Sequence, residues 1–270
     1  MPTKPMVELK AELKAEPTRK LHYVIEGQAD KPVLVMSNSL GTTLDMWAPQ
    51  MAALTARFRV LRYDTRGHGR SALPSASFGM RDLAEDVIAI LDHAGIDKAH
   101  FCGLSMGGMT GMYLARHHAE RFGRFVLANT AALIGPESVW NTRIETVRRD
   151  GMAAIVDGVL ARWFTDHYVL TRRDEFEPVR RMLETTSPEG YTANCAAVRD
   201  ADLRALLPEI NAPVLVIAGE QDLATTAAQG LDVARAIPGA EYLALAAAHL
   251  SNWELPEAFG NAVIGFLRQG

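Results

Sequence analysis

The spacing of apolar and polar positions changes along the chain, and each spacing predicts a type of element. From Val7 to Lys14, Val7, Leu9, Ala11 and Leu13 alternate with Glu8, Lys10, Glu12 and Lys14. A period of two sends alternate side chains to opposite faces, so this segment reads as a half-buried strand. Leu21, Tyr23 and Ile25 continue the alternation, and Glu26-Gly27 reads as a turn. Apolar runs too short for helices follow at Val33–Met36, Phe58–Leu61, Ala99–Cys102, Phe125–Leu127, Val214–Ala218 and Tyr242–Leu245. Runs of this kind suit strands covered on both faces, as in a parallel sheet. Between them lie helical patterns. Leu83, Val87, Ile90 and Leu91 fall on one side of a helix over Arg81–His93. Pro256 opens a last helix with Phe259, Val263, Phe266 and Leu267 as its apolar stripe. Alternating strands and helices predict an α/β doubly wound sheet.

From about Leu133 to Leu207 the rhythm breaks: the spacing gives helical stretches rich in Arg and Met, and no convincing strand. A helical cap over the C-terminal edge of the sheet is expected, with residues 133–207 as lid and residues 1–132 and 208–270 as core. The alternative is an independent helical domain. The prompt return to a buried strand at Val214 favours an excursion from a single sheet.

Composition narrows the functional classes. In 270 residues, 48% are hydrophobic and 22% charged, values ordinary for a globular enzyme with ample core. A formal net charge of -4 lacks the basic footprint of a nucleic-acid partner. No apolar stretch approaches a membrane span, and Met1–Pro17 lacks the apolar block of a secretory signal. Cys102 and Cys195 are too few for a disulfide framework and form no CxxC. A cytoplasmic protein is expected, without membrane or nucleic-acid partners. Its oligomeric state is left open.

The strongest chemical signal is Gly103-Leu104-Ser105-Met106-Gly107, placed between an expected strand and an expected helix. This is the context of a nucleophile elbow. The turn is so sharp that the neighbours of the serine must be small, while Gly108 and Gly111 let the helix pack closely behind it. The fold class expected is therefore the α/β-hydrolase fold, a mostly parallel central sheet flanked by helices with a helical cap.

A serine hydroxyl needs a base, normally a histidine oriented by a carboxylate. In this fold the order along the chain is serine, acid, histidine. Of eight histidines, His249 alone follows a late strand in a polar loop. His117 and His118 lie on the helix after the elbow, and His167 lies in the expected lid. His22, His68, His93 and His100 precede the serine and read as structural, with His68 in a loop near the site. Asp222 leaves the strand at Val214–Ala218 and is the expected acid; its other reading is a turn aspartate capping a helix at Leu223–Gly230. Glu220 is a rival set aside by its place directly after the strand. Some members of the fold take the acid from the preceding strand, where this chain has Asn129, an amide that cannot stabilise an imidazolium as a carboxylate does.

The developing oxyanion requires two backbone N–H donors, worth about 2.7–4 kcal/mol each. Met106, after the nucleophile, supplies one. The other is expected from Ser37-Asn38-Ser39-Leu40-Gly41-Thr42. Asn38-Ser39 stand where many relatives carry His-Gly, which leaves Leu40 as donor. Ser39 either faces the substrate or caps local backbone. Cys102, beside the elbow, reads as a buried, inert thiol.

With these residues in place, the chain resembles the 3-oxoadipate enol-lactonases, bacterial hydrolases of the β-ketoadipate pathway of aromatic catabolism. The stretches that carry the resemblance are the 37–42 loop with Met46-Trp47, Arg62-Tyr63-Asp64-Thr65-Arg66-Gly67-His68-Gly69-Arg70-Ser71, and the elbow running on through Gly108-Met109-Thr110-Gly111. Leu127-Ala128-Asn129-Thr130-Ala131 and Ala248-His249-Leu250-Ser251-Asn252 complete the set. It extends from about Leu21 onward and is weakest in the lid, where Trp140 and Arg143 match the family.

The resemblance implies a small enol-lactone bearing an acetate arm, opened by a serine esterase mechanism that needs no metal or organic cofactor. A substrate carboxylate calls for a cation. Trp140 and Arg143 are three residues apart and share a helical face, so Trp140 is expected against the lactone and Arg143, or another lid arginine, on the acetate arm. The same triad would serve a carbon–carbon bond hydrolase, an esterase or a cofactor-free perhydrolase. A non-catalytic ligand receptor on the same scaffold could also retain it. Haloalkane dehalogenation is disfavoured, because it uses an aspartate where this chain has Ser105.

Overall fold

A computed structural model describes residues 9–14 and 20–269. Its strands are β1 (Leu9–Lys14), β2 (Lys20–Glu26), β3 (Val33–Ser37), β4 (Arg59–Tyr63), β5 (Ala99–Leu104), β6 (Phe122–Ala128), β7 (Val214–Gly219) and β8 (Glu241–Leu245). They form one eight-stranded sheet in the order β1-β2-β4-β3-β5-β6-β7-β8. β2 pairs antiparallel with β1 and with β4, and every other pairing is parallel. Each of the six apolar runs lies largely or wholly within a strand. Val7 and Glu8, the start of the first expected strand, lie outside the described residues.

Two strands depart from expectation. In β2 the alternation does not survive as a half-buried strand: His22 and Val24 are buried along with Leu21, Tyr23 and Ile25. The face holding His22 is covered because the Asp64 carboxylate, itself buried, takes the His22 ring at 2.9 Å. β8 reads in the sequence like a doubly covered strand, yet Tyr242, Leu243 and Ala244 are only half-buried. Among the described residues it is the edge strand of the sheet, with a paired neighbour on one side.

The helices are α1 (Met51–Thr55), α2 (Met80–His93), α3 (Met106–His117), α4 (Glu137–Asp150), α5 (Ala153–Trp163), α6 (Asp166–Thr171), α7 (Arg173–Thr185), α8 (Pro188–Arg199), α9 (Ala227–Ala236), α10 (Ser251–Glu254) and α11 (Pro256–Leu267). The predicted stripes face the core. Leu83, Val87, Ile90 and Leu91 are buried on α2, and Phe259, Val263, Phe266 and Leu267 on α11. Full burial of a side chain such as Val263 stabilises by about 1.5–3 kcal/mol.

Helices α4 to α8 are inserted between β6 and β7. Leu203 N–H donates to Ala132 C=O at 2.8 Å and joins the two ends of the insertion. Leu183 and Tyr191 press on Gly41 beyond the sheet, so one apolar core runs through both parts of the molecule. Among the described residues no helix is long and apolar enough to cross a membrane.

The parallel strands β3, β5, β6, β7 and β8 all end at one edge of the sheet. The loops that leave this edge carry residues 38–42, Ser105, Asn129, Asp222 and His249, which are far apart in sequence. This is where open α/β sheets place their sites.

Candidate active site

Ser105 occupies the single residue between β5 and α3, with φ 59° and ψ -115°. A positive φ is costly for a residue with a Cβ, so the surroundings must hold it there. They do so by close contact. A Cβ on Gly103 would lie 2.1 Å from the Gly107 carbonyl oxygen, and one on Gly107 would lie 2.2 Å from that of Ser37. Only glycine fits at either position, and the turn lifts Ser105 to the cavity above the sheet.

Asp222 and His249 meet across the ends of β7 and β8. Asp222 Oδ2 accepts from His249 Nδ1 at 2.8 Å, from Thr225 Oγ1 at 2.9 Å and from Asn129 Nδ2 at 3.1 Å. Its Oδ1 accepts from the Ala224 and Thr225 N–H groups at 2.7 and 2.9 Å. The expected cap of a helix at Leu223 is thus a turn cap made by one oxygen, leaving the other for the imidazole; the helix itself begins later, capped by Thr226. Burial pushes the Asp222 carboxyl up, but the His249 charge and the bonds from His249, Thr225 and Asn129 outweigh it and hold the carboxyl below its ordinary value. A carboxylate on Nδ1 places the imidazole proton there and leaves Nε2 bare, able to accept a proton.

Asn129, at the alternative acid position, has its own task. It donates to Asp222, and its Oδ1 accepts from Ser251 Oγ at 2.6 Å. Glu220 is exposed.

Leu40 and Met106 are singled out by what their neighbours do. Ser39 N–H faces Met46 Sδ at 3.2 Å, Gly41 N–H donates to His68 Nε2 at 2.9 Å, and Gly107 N–H donates to Asn38 C=O at 3.0 Å. Ser105 N–H donates to Ala128 C=O at 2.9 Å. Across a trans peptide, N–H and C=O point in opposite directions. The Ser39 carbonyl is drawn one way by Thr42 Oγ1 at 2.7 Å, so the Leu40 N–H points the other way. The Ser105 carbonyl is likewise held by Thr130 Oγ1 at 2.8 Å, which orients Met106 N–H.

These groups open on one cavity of about 190 Å³, lined on the core side by Ser39, Leu40, Ser105, Met106, Thr225 and His249. The Ser39 hydroxyl is buried and has no hydrogen-bond partner among the described residues. Trp140, Arg143, Arg162, Trp163 and Tyr191 close the cavity from the insertion. Trp140 and Arg143 do share a face, but they contact each other: the guanidinium lies 4.8 Å from the ring centre, and the indole N–H donates to Ile134 C=O at 2.6 Å. Arg162 is held below its ordinary pKa by burial and by the like charge of Arg143. Among the described residues neither arginine forms an ion pair with a carboxylate.

Comparison with known proteins agrees with the fold. Residues 32–256 match the model of the alpha/beta hydrolase fold family. 3-Oxoadipate enol-lactonase 2 of Acinetobacter baylyi is 44% identical, over 92% of this chain and 93% of its own. The crystal structure of the enol-lactonase from Burkholderia xenovorans LB400 superposes with a TM-score of 0.91 at 49% identity, covering 93% of this chain and 97% of that one. A hydrolase from Pseudomonas aeruginosa superposes at 0.93 with 44% identity, covering 96% and 98%.

The chain belongs to the α/β-hydrolase family.

Within this hydrolase the remaining histidines lie outside the cavity lining. His22 bonds to Asp64, His93 to Tyr23 and His118 to Glu85, while His117 and His167 are exposed. His100 packs edge-on against Phe58. Sequence reasoning missed Arg162, Trp163 and Thr225. Trp163 stacks on His249 with ring centres 6.1 Å apart. No spacing rule marks a residue whose position depends on how the insertion folds back. Thr225, three residues after Asp222 in a turn, was the most accessible of them.

Proposed function

We propose that this hydrolase opens 3-oxoadipate enol-lactone to 3-oxoadipate through an acyl-enzyme on Ser105, assisted by His249 and Asp222. The observation that carries this reading is one cavity holding Ser105, an Asp222-oriented His249 and two arginines without a carboxylate partner among the described residues. The similarity to enol-lactonases supports the same substrate.

In the reaction, His249 Nε2 takes the Ser105 proton as Oγ attacks the lactone carbonyl. The oxyanion that forms is held by the Leu40 and Met106 N–H groups. Collapse of the tetrahedral intermediate breaks the ring C–O bond, and the His249 imidazolium protonates the departing enolate oxygen. The enol stays tethered to the acyl group, and its tautomerisation to the ketone makes ring closure unfavourable. His249 then deprotonates water, which attacks the acyl carbon, and Ser105 regains its proton as 3-oxoadipate departs. The Ser39 hydroxyl offers the substrate a hydrogen bond, and Trp140 supports Arg143 beside it. The insertion, residues 133–207, acts as the lid that keeps water from the oxyanion. The reaction takes place in the cytosol, a reading supported by Cys102 and Cys195 both being free and buried.

The substrate carboxylate sits between Arg143 and Arg162, where an anion relieves their mutual repulsion. Removing either charge acts on binding more than on chemistry. Arg162→Gln and Arg143→Ala each raise KM for the lactone about tenfold or more, leaving hydrolysis of neutral p-nitrophenyl acetate within about twofold. Steady-state kinetics on both esters checks this; unchanged KM for the lactone in both variants removes the arginines from the site.

A further inference from the structure

The stretch Asp64-Thr65-Arg66-Gly67-His68-Gly69-Arg70-Ser71 carries a histidine that the reaction above leaves without a task. His68 is buried and outside the catalytic triad. Its Nε2 accepts the Gly41 N–H at 2.9 Å. An imidazole nitrogen that accepts from an amide carries no proton, so the ring is neutral with its hydrogen on Nδ1. Nδ1 lies 3.4 Å from the Arg66 carbonyl, the acceptor that this tautomer requires, and 3.5 Å from the Asn194 amide nitrogen, whose two hydrogens go to the Arg66 and Gly190 carbonyls. Burial agrees with the assignment, since it pushes the His68 pKa down to about 4.

The bond falls at a sensitive point in the chain. Gly41 follows Leu40 directly, and with φ +81° it occupies a left-handed region that favours glycine. Thr42 fixes the Ser39–Leu40 peptide by its carbonyl, and His68 fixes the next peptide, Leu40–Gly41, by its N–H. With both planes held, the Leu40 N–H has a single direction. The lid contributes from behind. Asn194 on α8 is fully buried and donates to Arg66 C=O at 2.9 Å, bracing the loop that carries His68.

We propose that His68 is a positioning residue for the oxyanion hole: as a neutral acceptor for Gly41 N–H, it aims the Leu40 N–H at the oxyanion. The proposal rests on the serine mechanism above, though not on the lactone being the substrate. Its consequence is selective. The tetrahedral species loses stabilisation when His68 is replaced, whereas ground-state binding does not.

The test compares His68→Leu, which cannot accept, with His68→Gln, whose side-chain oxygen can. Three readouts are taken: kcat and KM for p-nitrophenyl acetate, the same for the enol-lactone, and inhibition by a small alkylboronic acid, which forms a tetrahedral adduct on Ser105. His68→Leu lowers kcat on p-nitrophenyl acetate about tenfold or more, weakens boronic acid inhibition by a similar factor, and leaves KM within about twofold. His68→Gln recovers most of both losses. A leucine variant with kcat and boronate affinity within twofold of wild type overturns the proposal, and so does a loss that glutamine does not repair. Nitrogen NMR of the wild-type chain gives an arm that does not depend on a variant folding: Nδ1 is protonated and Nε2 bare, and a proton on Nε2 overturns the assignment. If wild type cleaves p-nitrophenyl acetate but not the lactone, the substrate reading fails while the His68 comparison stands.

Discussion

Ser105→Ala lowers kcat/KM for the enol-lactone by about 10⁴-fold or more, measured as the loss of its ultraviolet absorbance. The expected loss is large because the hydroxyl is the one protein group in the proposed path that bonds to the acyl carbon. Alanine accepts the strained position no worse than serine does, since φ 59° at the elbow is imposed by Gly103 and Gly107 on any residue with a Cβ. The fold therefore persists, and so does binding, which depends on Arg143, Arg162 and the cavity walls. Affinity for 3-oxoadipate stays within about threefold of wild type. Activity of Ser105→Ala within tenfold of wild type would exclude a serine mechanism.

Asp222→Asn is the second large effect, about 10³–10⁴-fold in kcat. Its basis is the full occupation of the carboxylate. Oδ1 receives two backbone N–H groups, from Ala224 and Thr225, and these demand an acceptor. The introduced amide must therefore place its oxygen there and its NH2 where Oδ2 was. That NH2 faces His249 Nδ1, Thr225 Oγ1 and Asn129 Nδ2, the last of which is a donor itself. Donating to Nδ1 drives the imidazole proton to Nε2, the nitrogen that must be bare to accept from Ser105. The imidazolium also loses its counter-charge. Stopped-flow or steady-state kinetics on the lactone gives the number, and a loss below tenfold would show that Asp222 does not orient the base.

Much of the core was legible because its signals are local. Sheet burial leaves apolar runs, the elbow leaves glycines where a Cβ would meet a backbone oxygen at 2.1–2.2 Å, and chain order separates His249 from seven other histidines. Asp222 was legible as two alternatives, a cap and an acid. The structure shows why neither reading excludes the other, since each carboxylate oxygen makes its own set of bonds. The insertion was legible only as helical. Its apolar stripes serve contacts among α4, α5, α7 and α8 and with the core, so spacing does not say which arginine faces the cavity at Ser105. Trp140 and Arg143 were placed on one face correctly, but their contact with each other belongs to side-chain packing. Arg162, nineteen residues further along and on the next helix, shares the cavity with Arg143 only after α5 folds back on α4. β2 was misjudged for a related reason, its second face being covered by the distant Asp64.

A fluorophosphonate titration bears most directly on the proposed reaction. The reagent bonds covalently to an activated serine, and peptide mass spectrometry locates the label. Lactone turnover falls in proportion to label on Ser105 and reaches zero at one label per chain, with 3-oxoadipate slowing both. A chain fully labelled at Ser105 that still opens the lactone at the wild-type rate would contradict the account.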